Sequence, residues 1–282
     1  MNIGISGSSG LVGSALKKYL EGEGHTTISL PRTFENPIDF STIDAVIHLA
    51  GESIASGRWT PEKKARIEES RVLGTRQLAK QLASAKSSPS IFISASAIGY
   101  YGSREDEILD ENSSRGNDFL SDVCEKWEAA TSEAEEAGIR TVKLRTGIVL
   151  SNRGGALQKM LPPFKFGGGG ILGSGKQYMS WISLDDMVQG ILHSIETESL
   201  VGPVNFVAPN PVTNYTFTKT LGKILHRPTF LPLPAFAARI IFGEMADALL
   251  LSSTRVTPKK LVESGYTFKH ENLQSALKDI LK

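Results

Sequence analysis

The chain has 282 residues, with 31 basic against 30 acidic side chains and a net charge of +1. At 40% hydrophobic and 22% charged it can fill a sizeable core, as one large domain or two unequal ones. The charge balance gives no electrostatic case for nucleic acid or an anionic membrane as partner.

The lone cysteine, Cys124, excludes a disulfide framework and points to a reducing compartment. Met1–Ser6 runs straight into a strand pattern, with no basic start followed by an apolar stretch. The longest apolar region, 230–251, is broken by Pro232, Pro234, Arg239, Glu244 and Asp247, so it does not suit a bilayer span. The expected location is cytoplasmic.

In chain order, strands are predicted at 3–6, 26–30, 45–50, 90–96 and 141–145, several of them apolar on both faces. Helices rich in Ala, Leu, Glu and Lys are predicted at 11–21, 61–85 and 118–137. This alternation predicts an α/β fold, a doubly wound parallel sheet of Rossmann type with helices on both sides. A glycine-dense segment follows at 167–175, then a helical pattern over 181–195 and a strand at 204–208. The remainder reads as mostly helical, punctuated by Pro228, Pro232, Pro234 and Pro258. The division expected is a dinucleotide-binding domain over 1–210, with part of 151–180 reaching the substrate cleft, and a smaller, mainly helical C-terminal domain over 211–282.

Gly7-Ser8-Ser9-Gly10-Leu11-Val12-Gly13 follows the first strand and opens the first helix. Gly7 permits a tight turn, Gly10 lets backbone approach a pyrophosphate, and Gly13 allows close packing of helix and sheet. Amides at the helix N-terminus then face the anion. At the end of the second strand an acid would select NAD; the sequence there is Ser29-Leu30-Pro31-Arg32. The Arg32 fork suits a ribose 2′-phosphate, so NADP is favoured over NAD.

The chain resembles the extended short-chain dehydrogenase/reductases. More closely, it resembles the atypical epimerase-family proteins that carry a small C-terminal domain of unknown function. The marks are Asp44-Ala45-Val46-Ile47-His48-Leu49-Ala50-Gly51-Glu52, Arg58-Trp59-Thr60, Ser70-Arg71 with Gly74-Thr75, and Ser94-Ala95-Ser96-Ala97-Ile98-Gly99-Tyr100-Tyr101-Gly102. Lys126-Trp127-Glu128, Arg145 to Leu150, Gly154 to Leu157, Phe164 to Asp186 and Leu225-His226-Arg227-Pro228 complete the pattern, which covers essentially the whole chain. The resemblance implies that Leu49, Ala50 and Gly51 line the cofactor groove. It also implies that Ser94 and Ser96 lie beside the nicotinamide and that Val149 flanks the ring. Arg71 reads either as a phosphate ligand or as a charge on a solvated helix.

Working relatives place a tyrosine, and a lysine four residues later, one turn before a glutamate. The lysine lowers the tyrosine pKa and lets a phenolate act. Counting back from Glu128, those positions hold Leu120 and Cys124. The dyad is absent. Tyr215 and Lys219 have the spacing but follow the last predicted strand, where an ordinary helix pair is expected.

Ser96 and Tyr100 are the remaining candidates for proton transfer, with a packed Tyr-Tyr turn the alternative for Tyr100. Cys124 reads as a nucleophile or redox sensor, or as a small helix-face residue. The loop 166–177, with Lys176, reads as a substrate loop or a mobile connection, and Trp59 and Trp181 as pocket walls or core. The five histidines have no metal-site spacing. Two functions follow: an oxidoreductase or sugar-nucleotide epimerase on a small polar substrate, or a non-catalytic cofactor-bound sensor or partner-binding protein. The assembly expected is a monomer or homodimer.

Overall fold

The computed structural model describes residues 1–282. In chain order the elements are β1 (Asn2–Ser6), α1 (Leu11–Gly22), β2 (Thr26–Leu30), β3 (Ala45–His48), α2 (Pro61–Ala83), β4 (Ile91–Ala97), β5 (Ile108–Leu109), α3 (Phe119–Ala129), α4 (Ser132–Glu136), β6 (Arg140–Thr146), β7 (Ile148–Leu150) and α5 (Gly155–Lys165). There follow β8 (Tyr178–Met179), β9 (Trp181–Ser183), α6 (Leu184–Glu196), β10 (Gly202–Phe206), β11 (Val212–Thr213), α7 (Asn214–Leu225), α8 (Ala235–Phe242), β12 (Arg255–Val256), α9 (Lys259–Glu263) and α10 (Leu273–Ile280).

Six strands form one parallel sheet in the order β10-β6-β4-β3-β1-β2. The chain leaves β1 for β2 on one side and returns to β3 on the other. The carboxyl ends of β1 and β3 therefore part at the switch point where doubly wound sheets bind ligands.

Alternation of side chains along each strand builds two cores. Ile3, Ile5, Ala45, Ile47, Ile91, Ile93, Val142 and Leu144 pack with Leu16 and Leu20 of α1 and Met187, Val188 and Ile191 of α6. Val46 and Phe92 face Leu78, Ala79 and Leu82 of α2 and Ala134 of α4. Truncating one of these fully buried aliphatics to alanine costs about 2–5 kcal/mol.

Two predicted helices differ from the structure. The pattern at 181–195 begins as strand: Trp181–Ser183 pairs in parallel with Ile148–Leu150, and the helix starts only where Ser183 caps it by accepting from the Asp186 amide (3.0 Å). The stretch 118–137 splits into α3 and α4, and the Thr131 hydroxyl bonds back to the Glu128 carbonyl (2.8 Å) at the break.

After β10 the chain forms a mostly helical C-terminal region. α7 and α10 pack with α5 around Leu157, Leu161, Phe217, Leu221 and Leu277. The residues after the π-helical turn Ala246–Leu250 return to the sheet domain: β12 pairs with β5, and Leu261 and Phe268 join the larger core. No helix is long and apolar enough to cross a membrane.

Candidate functional site

The turn after β1 is held by contacts that admit no side chain at two positions. Gly7 has φ +80°, and a Cβ there would lie 2.8 Å from the Ala50 nitrogen, so the ends of β1 and β3 meet at this glycine. A Cβ on Gly13 would lie 2.1 Å from the Gly7 carbonyl oxygen. Gly10 is different: a Cβ there would meet only the Gly7 oxygen, at 3.3 Å, and otherwise point into open space. Its smallness leaves room for something outside the chain.

The helix ends repeat that contrast. Thr60, Asp118, Ser183 and Thr213 cap α2, α3, α6 and α7 with side-chain oxygens. α1, opened by Gly10, has no side-chain cap, and neither does α5, opened by Gly154. The two ends lie side by side, since a Cβ on Gly154 would sit 3.2 Å from Leu11 Cδ1. Between them is a cleft of about 320 Å³ lined by Ser9, Gly10, Leu11, Ser14, Ala15, Arg153 and Gly154. Free amides and a cation converge there, which suits a phosphate group. Arg153 was missed from the sequence, because it reaches the turn only through the fold. Ser8 donates to Ser29 Oγ (3.1 Å), tying the turn to β2, and Val12 packs against the larger core.

Arg32, two residues past β2, has a side chain 73% exposed, but it is not without an acid. Glu52 Oε2 lies 3.6 Å from its guanidinium. No competing carboxylate was expected from the local sequence; the acid comes from the loop after β3. Leu49, Ala50 and Gly51 line the end of that strand against Gly7 and Arg71. Arg71 is not a solvated helix charge. It donates to the Ile67 and Glu52 carbonyls (3.0 and 2.9 Å), lies over the Trp127 ring, and braces Gly51 from below.

At the end of β4 the polar groups are committed to one another. Ser96, 4% exposed, donates to Glu128 Oε1 (2.7 Å), and Arg145 holds both Glu128 oxygens at 2.8 Å. Burial works against the Arg145 charge, but the Glu128 carboxylate overrides it and raises the guanidinium pKa. Arg145 also donates to the Tyr101 hydroxyl (3.0 Å), which donates to Asn205 (2.7 Å); burial pushes the Tyr101 phenol up to about 12. The Tyr100 ring lies 3.5 Å above the Arg145 guanidinium, half-buried at the rim. Ser96 thus differs from expectation: it is no open proton donor but part of a closed network. Ser94 is buried and makes only a 3.4 Å bond to the Ala95 carbonyl. Val149, in β7, packs against the edge of the larger core.

Leu120 and Cys124 fill the dyad positions by packing under the turn after β4. A Cβ on Gly99 would lie 3.3 Å from Leu120 Cβ and 3.8 Å from Cys124 Sγ. Cys124 is buried, and burial, reinforced by the Glu128 charge, pushes its thiol up to about 12. Burial thus disfavours the thiolate that a nucleophile needs.

Tyr215 and Lys219 sit on α7, where the Lys219 amine bonds to Thr229 rather than to any group at β4. Trp181 is fully buried core. Trp59 forms a small cluster with Ile67 and Val123, against which Leu120, Met245 and Leu249 pack, so the C-terminal region closes over this end of the sheet. The glycine segment is ordered against the same region, with Leu172 bridged to Leu233, while Lys176 stays exposed. No group of His, Cys, Asp and Glu side chains could hold a metal ion.

Known proteins resemble the chain over nearly its whole length. The NAD dependent epimerase/dehydratase family model matches residues 3–207, and a domain of unknown function, DUF1731, matches residues 233–280. Epimerase family protein Mb2239 of Mycobacterium bovis is 42% identical over 98% of this chain and 96% of its own length. The crystal structure of human epimerase family protein SDR39U1 with NADPH superposes with a TM-score of 0.94, at 32% identity over 99% of both chains. A nucleoside-diphosphate sugar epimerase from Corynebacterium glutamicum matches all of this chain and 58% of its own, at 37% identity and TM-score 0.75. With its sheet, its glycine turn and its C-terminal region all accounted for in this way, the chain belongs to the NAD dependent epimerase/dehydratase family.

Proposed function

We propose that the chain binds NADP(H) at the Gly7–Gly13 turn and acts as an atypical oxidoreductase on a small polar substrate, with Tyr100 as its proton-transferring group. The observation that carries the cofactor is the uncapped start of α1 beside the open face of Gly10, with the Arg32 fork at the end of β2. The human relative crystallised with NADPH supports the same choice.

When bound, the dinucleotide supplies or accepts a hydride at its nicotinamide. The chain's own part is to hold the two phosphates on the amides of α1 with Arg153 alongside, and to offer Arg32 to the 2′-phosphate. Glu128 fixes Arg145, and Arg145 holds the Tyr100 ring in place. Tyr100 is the hydroxyl at this strand end that the Glu128 network leaves unengaged. Ser96 acts through Glu128 as a positioning residue.

Tyr100→Phe should lower turnover by about 100-fold with NADPH affinity unchanged. Turnover equal to wild type would remove Tyr100 from the reaction. The packed Leu120 and Cys124 favour a second reading, a cofactor-bound sensor without proton transfer. Tight NADPH binding with no oxidation by any carbonyl or sugar nucleotide would support it.

A further inference from the structure

Glu52 is held by three hydrogen bonds. Its amide donates to Ser70 Oγ (3.0 Å), and its carbonyl accepts from Arg71 (2.9 Å). Its Oε1 accepts from Lys63 Nζ at 2.6 Å, and that amine, 6% exposed, also reaches Ser56 Oγ (2.9 Å). Only Oε2 is uncommitted within the loop, and it is the atom turned toward Arg32, 3.6 Å away. The backbone bonds fix the residue, and the Lys63 bond to Oε1 keeps the carboxylate beside Arg32 at the end of β2. Lys63 and the nearby arginines keep it ionised, holding its pKa below the usual glutamate range.

An anion arriving at Arg32 therefore meets a guanidinium that already has a counter-charge. Part of the attraction is spent on displacing that contact, and Glu52 itself repels the incoming charge. A dinucleotide without a 2′-phosphate escapes both effects.

We propose that Glu52 is a specificity-determining residue at the adenosine end, which lowers the chain's preference for NADP over NAD by holding Arg32 through Oε2. This rests on the reading above that Arg32 meets the 2′-phosphate. The preference is set by a pair, Arg32 drawing the phosphate and Glu52 opposing it.

The test is titration calorimetry of the full chain with NADP⁺ and with NAD⁺ at one fixed ionic strength, read as the ratio of the two dissociation constants. Glu52→Gln keeps an acceptor for Lys63 but removes the charge. It should raise the NADP preference about threefold or more, the scale of a partly exposed ion pair. Because Lys63 is buried, the double variant Glu52→Gln with Lys63→Met removes both charges and should shift the ratio in the same direction if the single variant folds poorly.

In an Arg32→Ala background the effect of Glu52→Gln should shrink to less than half on a logarithmic scale. An unchanged or lowered ratio in Glu52→Gln, with Arg32→Ala still losing NADP preference, overturns the role of Glu52 alone. An unchanged ratio in Arg32→Ala overturns the placement of the 2′-phosphate and this inference with it. A fall in melting temperature with no change in ratio would mark Glu52 as merely structural, and also overturns it.

Discussion

The ends of β1 and β4 lie in one sheet and meet opposite fates. At β1 the chain leaves polar groups open: α1 starts without a cap, Gly10 faces outward, and Arg153 lines the cleft beside them. At β4 it pairs them off among Ser96, Glu128, Arg145, Tyr101 and Asn205. Open donors cost little at a solvent-filled cleft and are available to a ligand. Buried charges must be paired, and once paired they serve the fold before they serve a substrate. The turn after β1 keeps its donors open, while Leu120 and Cys124 fill the positions where the resemblance places a tyrosine and a lysine.

Four changes would break or sharpen this contrast. The largest effect belongs to the locked pair. Glu128→Ala leaves Arg145 buried without its carboxylate and should cost about 3–5 kcal/mol, read as a shift of the urea midpoint, while the folded fraction still binds NADPH. A loss under about 1 kcal/mol would mean the network is solvated and its groups are free for chemistry after all.

His48, at the end of β3, is the exception on the open side. It is fully buried with neither ring nitrogen bonded, and burial lowers its pKa to about 4. The folded state binds this proton less tightly than the unfolded chain. Its contribution is therefore present above about pH 6.5 and lost as the pH falls toward 4. The loss should approach about 3 kcal/mol, and His48→Leu should flatten that part of the stability profile. An equally steep profile in the variant would assign the acid sensitivity elsewhere.

Gly10→Val should weaken NADP and NAD together by about 100-fold while leaving the melting temperature of the ligand-free protein near wild type, because its Cβ meets almost nothing in the chain. Retained thermal stabilisation by NADPH would move the phosphate site away from this turn. The smallest effect is at Arg153, an exposed cation at the same cleft. Arg153→Ala should weaken both nucleotides alike by about three- to tenfold and leave their ratio unchanged, since it faces phosphates the two share. A change in the ratio would place Arg153 near the 2′ position instead.

Much of this molecule could be read along the chain. The strands β1, β3 and β4 show as apolar runs because both their faces are buried, and the turn at Gly7 shows because its geometry needs glycine where strand becomes helix. The replaced dyad was equally plain: Leu120 and Cys124 stand at fixed spacing from Glu128 on one helix. These are local signals, carried within one or two elements.

What escaped lies in contacts between distant segments. Trp181 looked helical because its run is apolar, and pairing with Ile148 made it strand. Arg71 reads along the chain either as a phosphate ligand or as a solvated charge, and the loop after β3 and Trp127 close around it instead. Ser96 looked like a free hydroxyl, but Glu128 claims it from 32 residues away. Arg32 looked unopposed, and Glu52 reached it from a loop beyond the next strand. Residue type and spacing determine which groups are present and which local backbone they favour. Whether a charged group is free or already paired depends on what folding brings within about 4 Å of it.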